Sequence, residues 1–174
     1  APPYFVTSDE DADNNYYEPR DLSTKLRRWW NEPLAEESVT ARARVEYLHA
    51  WAEQKEAMRP GRVGAKHPLL SLCANDLALA WGEDTRFVWA RRPIEDSIAG
   101  LVRRGWFRGH EARLQRRLWD AIDAFETSGA KVERIEWTDL HEDPMATARR
   151  LATIVGITDA ETRLAAATRF VRRA

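Results

Sequence analysis

Apolar residues recur at three- and four-residue spacing along most of this chain, and three short apolar runs of strand length interrupt them. The first helical stretch spans Pro19 to Trp30, with Leu22, Leu26, Trp29 and Trp30 on one side and Asn31-Glu32-Pro33 ending it. Ser38 is placed to cap a second helix reaching about Met58, in which Val39, Ala43, Tyr47, Ala50 and Trp51 fall near helical spacing. Pro60-Gly61 then turns the chain into a first strand, Arg62 to Lys66. A helix is expected from Pro68 to Trp81, and Gly82-Glu83-Asp84 leads into a second strand, Thr85 to Ala90. That strand is apolar on both faces, as a buried parallel strand would be.

From Ile94 a stripe of Ile98, Leu101 and Val102 predicts another helix, interrupted by Gly105. The next, Gly109 to Thr127, carries Leu114, Leu118, Ala121, Ile122 and Phe125 on one side and stops at Ser128-Gly129. Val132 to Trp137 reads as a third strand. His141 to Pro144 open a helix through Val155, with Ala148, Leu151, Ala152 and Val155 inward, which Gly156 caps before Asp159 starts a last one. Strands alternating with helices imply an α/β fold, a parallel sheet flanked by helices with right-handed crossovers. Residues 1 to 17 read as an irregular segment pinned by Tyr4, Phe5, Tyr16 and Tyr17. The acidic run Asp9 to Asp13 lacks the glycine and closing glutamate of a calcium loop, and a solvated loop is its plainer explanation.

At 174 residues the chain is expected to form a single domain, residues 1 to 174. It begins at Ala1 and stops at Ala174 inside a helical pattern, so the domain is expected to be incomplete at one or both ends. A formal net charge of −1 argues against a general nucleic-acid binder, so any cationic site must be local. Most cations are arginines, the better fork for phosphate or sulfate oxygens, although a genome biased toward arginine codons explains surface arginines equally well. The single Cys73 excludes an internal disulfide and reads as a small buried hydrophobe. No apolar run approaches the roughly 20 residues that span a bilayer, and no targeting segment opens the chain, so a soluble, cytoplasmic protein is expected.

The chain has no G-x-x-x-x-G-K-[ST] loop, no G-x-G-x-x-G turn, no nucleophile elbow and no zinc spacing. What it does have is two cationic strand ends, each followed by a proline: Lys66-His67-Pro68 and Arg91-Arg92-Pro93. In an open parallel sheet the carboxyl ends of the strands line one crevice, so both clusters are expected to meet there around an anion, with no metal required. For the arginines, pairing with Glu95 or Asp96 on the following turn is as good an explanation. For His67, a structural role competes with that of a general base beside the charge-neutralising Lys66. Arg103 and Arg104 read as rim or solvent residues.

KHPLLSLC, then FVWARRPIEDSIAGLVRRGW, then VERIEWTDLHEDPMATARRLATIVGI resemble, in that order, segments of the sulfotransferases that use 3'-phosphoadenosine 5'-phosphosulfate (PAPS). DEDADNNYYEPRDL and WWNEPL resemble the acidic and tryptophan-proline segments of bacterial members. The resemblance covers nearly the whole chain and implies a partial P-loop-NTPase-like three-layer sandwich. It also implies sulfuryl transfer from PAPS to a hydroxyl or amine of a small-molecule or carbohydrate acceptor, with adenosine 3',5'-bisphosphate as the product nucleotide. On that resemblance Arg91 would contact the 3'-phosphate, with Arg92 and Ser97 also on the cofactor side. Lys66 would face the sulfuryl group, and His67 would serve as the base. The family's serine two turns beyond the arginine is here Ala99 or Gly100, with Ser97 earlier, and relatives often separate the lysine and histidine by one residue.

The family's glycine- and serine-rich phosphosulfate loop, which precedes the acidic segment, has no counterpart before Asp9, and the late glycine-rich loop is likewise not visible. The isolated chain is therefore expected to be weak or inactive as an enzyme. Two other readings stand beside this one. The chain could be a non-catalytic α/β interaction module, or a phosphotransferase of the nucleotide-kinase type, the latter disfavoured by the missing Walker-type lysine.

Overall fold

The apolar stripe of the first helix decides where the core sits. In the structure, a computed structural model that describes residues 4–5, 20–30, 39–58, 63–105 and 107–157, helix α1 (Arg20–Trp29) buries Leu22, Leu26 and Trp29, and Trp30 follows them inward. This is the side that the spacing predicts. Asp21 anchors the outer flank: it accepts from the Trp51 indole at 3.0 Å and pairs with Lys55 at 2.6 Å. Burial alone would raise the Asp21 carboxyl, but the Lys55 ammonium, the Leu22 amide and the Trp51 indole outweigh it and hold it below its usual range.

Helix α2 (Ala41–Met58) lies against this stripe through Arg44, Leu48 and Trp51. Ala43 and Ala50, expected inward, are exposed, so the helix is rolled about one residue from the apolar reading. Its N-cap is Thr40, whose hydroxyl accepts from the Ala43 amide at 3.3 Å; the expected cap, Ser38, lies outside the described residues. The roll follows from an ion pair. Arg44 Nε donates to Asp76 Oδ2 at 2.6 Å and Arg44 Nη1 to the Val39 carbonyl at 2.8 Å, with Arg44 only 5% and Asp76 only 6% exposed.

Strand β1 (Tyr4–Phe5) pairs in parallel with β2 (Val63–Gly64), so part of the amino segment expected to be irregular is strand; the rest of it lies outside the described residues. After β2, the single helix expected from Pro68 is two pieces: a 3-10 segment, Pro68–Cys73, then α3 (Ala74–Trp81). Cys73 is buried in the main core, as its apolar surroundings suggest. Trp81 donates to the Leu48 carbonyl at 3.0 Å and stacks on Trp51 at 6.0 Å, tying α3 to α2 a second time.

Strand β3 (Phe87–Arg91) and β4 (Val132–Glu136) pair in parallel, in register from Phe87 opposite Val132 to Arg91 opposite Glu136. Between them run α4 (Ile94–Arg104), ended by Gly105 at φ +65°, and α5 (Glu111–Thr127). Leu114, Leu118, Ile122 and Phe125 of α5 are buried as expected, whereas Val102 of α4 is exposed. Phe87 meets Phe125 at 4.8 Å and Trp89 meets Trp119 at 5.0 Å, fixing one face of the sheet on α5. Alternate residues face the other way. Glu133 reaches Arg150 of α7 (Pro144–Val155), while Val88 and Ala90 are exposed, so β3 is not covered on both faces as expected.

Trp137, expected to end the third strand, instead begins α6 (Trp137–Glu142). Asp143 then caps α7 by accepting from the Ala146 amide at 2.9 Å, so the helix opens at Pro144 rather than at His141. The expected helix from Asp159 lies outside the described residues. The fold is thus mixed, mostly helical, with small parallel strand pairs flanked by helices. Among the described residues no helix is long and apolar enough to cross a membrane.

Breaking the Arg44-Asp76 pair leaves one buried charge without its partner. Asp76→Ala should lower the stability by about 3–5 kcal/mol in urea unfolding, while joint replacement by Met at 44 and Leu at 76 should recover most of that loss.

Candidate anion site at the end of the parallel strands

The two cationic clusters that the sequence singles out stand at the ends of strands in different pairs. β2 is paired with β1 and β3 with β4, so no single sheet among the described residues carries both to one edge. Each has a distinct local structure.

At the first cluster, Lys66 is exposed and His67 is half-buried. His67 Nδ1 accepts from the Leu69 amide at 3.1 Å and so caps the 3-10 segment, while Nε2 lies 3.1 Å from Ser23 Oγ on α1. Because Nδ1 accepts a backbone proton, the neutral ring carries its own proton on Nε2 and donates it to Ser23. Burial, then the Arg27 and Lys66 charges, push the His67 pKa down to about 4. At neutral pH the ring is uncharged, and its basic nitrogen is engaged by the backbone. Ser23 had no sequence signal, since the pair spans α1 and the segment after β2.

At the second cluster, Arg91 ends β3 directly opposite Glu136, the last residue of β4. Arg91 Nη1 and Glu136 Oε1 are 3.5 Å apart, with the two side chains 35% and 42% exposed. Arg91 therefore pairs across the strands, not with Glu95 or Asp96 on the following turn. Its guanidinium also lies 5.0 Å from the Trp119 ring centre and 5.6 Å from that of Trp89, and Arg134 approaches Trp89 from 5.8 Å. These two tryptophans are half-buried, so they pack and also hold a cation.

Arg92 turns the other way. Its guanidinium sits 5.1 Å from the Trp137 ring, which in turn meets His141 at 4.6 Å, and its Nε is buried without a hydrogen-bond partner. Arg92 Nη1 passes 4.0 Å from the point a Cβ on Gly100 would occupy. Ser97 is half-buried in the first turn of α4, its amide bonded to the Pro93 carbonyl at 3.0 Å. Pro93 precedes the helix without a side-chain cap, so the first-turn amides of α4 receive no acceptor from it.

The carboxyl edge of β3 and β4 thus gathers Arg91, Arg92, Glu136, Trp137 and His141. Reading the residues missed the last three. Glu136 had no local signal, because its place opposite Arg91 depends on the register of two strands far apart in the chain. A shallow hollow lined by Asp139, Glu142, Asp143, Thr147 and Arg150 opens at the start of α7, and no group of metal-ligating side chains occurs among the described residues. Comparison with protein-family models, with curated proteins and with solved structures found no match.

The His67 shift has a definite sign. The folded ring titrates near 4 and the unfolded one near its ordinary 6.5, so between those values the unfolded chain holds the extra proton. The associated stability is complete above about pH 6.5 and is lost as pH falls toward 4. Urea midpoints measured from pH 7 to pH 4 should fall across this window by an amount worth at most about 3 kcal/mol, and His67→Gln should flatten that slope.

Proposed function

We propose that this chain is a sulfotransferase-type domain of P-loop-NTPase-like α/β architecture, in which sulfuryl passes from PAPS to a hydroxyl or amine. In that reaction the bond between sulfur and the bridging phosphate oxygen breaks and a bond from sulfur to the acceptor forms. The acceptor proton goes to a base, and adenosine 3',5'-bisphosphate leaves. The observation that carries the proposal is Arg91 at the carboxyl end of a parallel strand, followed by Arg92-Pro93 and an uncapped helix start. The ordered sequence segments add to it.

In this reading Arg91 contacts the 3'-phosphate, with Arg92 and Ser97 close by, and Lys66 neutralises charge on the transferred group. His67 can act as base only after its Nδ1 gives up the Leu69 amide or its ring changes tautomer, so acceptor binding has to release that cap. An interaction module is the second reading, favoured by the exposed β3 face at Val88 and Ala90. It predicts self-association or a stable partner, visible on sizing the chain, and no nucleotide affinity.

Calorimetric titration with adenosine 3',5'-bisphosphate separates these readings. Binding that Arg91→Ala weakens about tenfold or more, the scale of a lost charge-assisted contact, supports the sulfotransferase site. Binding indifferent to Arg91 removes it, and binding of ATP in its place points to a phosphotransferase.

A further inference from the structure

The carboxylate opposite Arg91 has no part in the proposed sulfuryl chemistry, yet it contacts the guanidinium that the proposal assigns to an anion. Glu136 Oε1 approaches Arg91 Nη1 to 3.5 Å, a long single contact that leaves other N–H donors of the fork unused by it. The indole rings of Trp119 and Trp89 flank the guanidinium, which limits its freedom to swing away. Strand register sets the other partner: Glu136 is the residue directly across the ladder from Arg91, so its carboxylate stays within reach of the guanidinium even when its side chain swings aside. Both side chains keep a third or more of their surface in water, so an incoming ion can reach the pair.

Resting on the proposed nucleotide site, we infer that Glu136 is an internal competitor for Arg91. It holds the guanidinium in place in the free chain and opposes a phosphate bound there. A ligand must outbid or displace the carboxylate, so Glu136 lowers the affinity of the site for an anion by the cost of that displacement. Glu136 is a tuning residue for affinity and takes no proton or group in the reaction.

The test is calorimetric titration of the whole chain with adenosine 3',5'-bisphosphate, for the parent, Glu136→Gln, Arg91→Ala, and the two combined. Glu133→Gln serves as control, since Glu133 lies on the same strand but pairs with Arg150 on the opposite side of the sheet. Urea midpoints establish that each variant folds. Glu136→Gln should tighten binding about two- to fivefold, the range of one half-exposed charge contact, while Glu133→Gln leaves it unchanged. In the Arg91→Ala background the same Glu136→Gln change should have no effect, because the competition is for that guanidinium.

If Arg91→Ala weakens binding and Glu136→Gln does not tighten it, the competitor role is overturned and the nucleotide site stands. Equal tightening by Glu133→Gln, or tightening that persists without Arg91, reduces the effect to the general field of a carboxylate and overturns it as well. If the parent does not bind the nucleotide, or Arg91→Ala binds as well as the parent, the site proposal fails and takes this one with it.

Discussion

The buried pair of Arg44 and Asp76 sets the position of everything around it. A guanidinium and a carboxylate removed from water are tolerable only when each answers the other and the remaining donors find acceptors, as Arg44 does at the Val39 carbonyl. That requirement fixes the rotation of α2, which brings Leu48 and Trp51 onto the α1 stripe and Trp81 onto Trp51. The Arg44 guanidinium also lies 5.7 Å from the Trp30 ring, so the same cation closes the end of α1. Helices α1, α2 and α3 are thereby locked as one unit before any strand is considered.

The parallel strands rest on that unit through α5. Leu114 and Leu118 belong to the main core, and Ile122 and Phe125, further along the helix, form the smaller cluster beneath Phe87, Trp89 and Val132. One helix therefore sets both the packing and the height at which Arg91 leaves the sheet. Tryptophan serves two purposes at this edge. Trp119 and Trp89 are large enough to fill the space over α5, and their faces hold the Arg91 guanidinium. The neighbouring arginines end in different surroundings for the same reason that alternate strand residues always do: Arg91 points to the α5 side and Arg92 toward α4 and Trp137.

His67 illustrates how local geometry limits chemistry. As a sequence position it offers a base beside a lysine. In the fold it caps the 3-10 segment and reaches α1 at Ser23, and burial beside two cations keeps it neutral. A histidine so engaged is first a brace between α1 and the turn after β2. Any proton transfer through it is coupled to loosening that brace, which makes the first turn after Lys66 part of the working machinery under the sulfotransferase reading.

The sequence by itself determined the stripe of α1, the buried side of α5, the order of elements from β2 to β4, the buried thiol of Cys73, and the arginine pair at the end of the second strand. Each of these follows from local periodicity, from a turn signal, or from composition, and none depends on a distant residue. Tertiary structure decided the rest. The roll of α2 depends on Asp76, 32 residues away from Arg44. The split of the helix after Pro68 goes with the His67 cap, and the strand at Tyr4 depends on Val63. The exposed face of β3 at Val88 and Ala90 shows why a doubly apolar run is not proof of a doubly covered strand: what covers a face is set by the neighbouring elements. Whether a charged residue goes inside, and which of two arginines meets a carboxylate, are properties of pairs, and pairs are made by the fold.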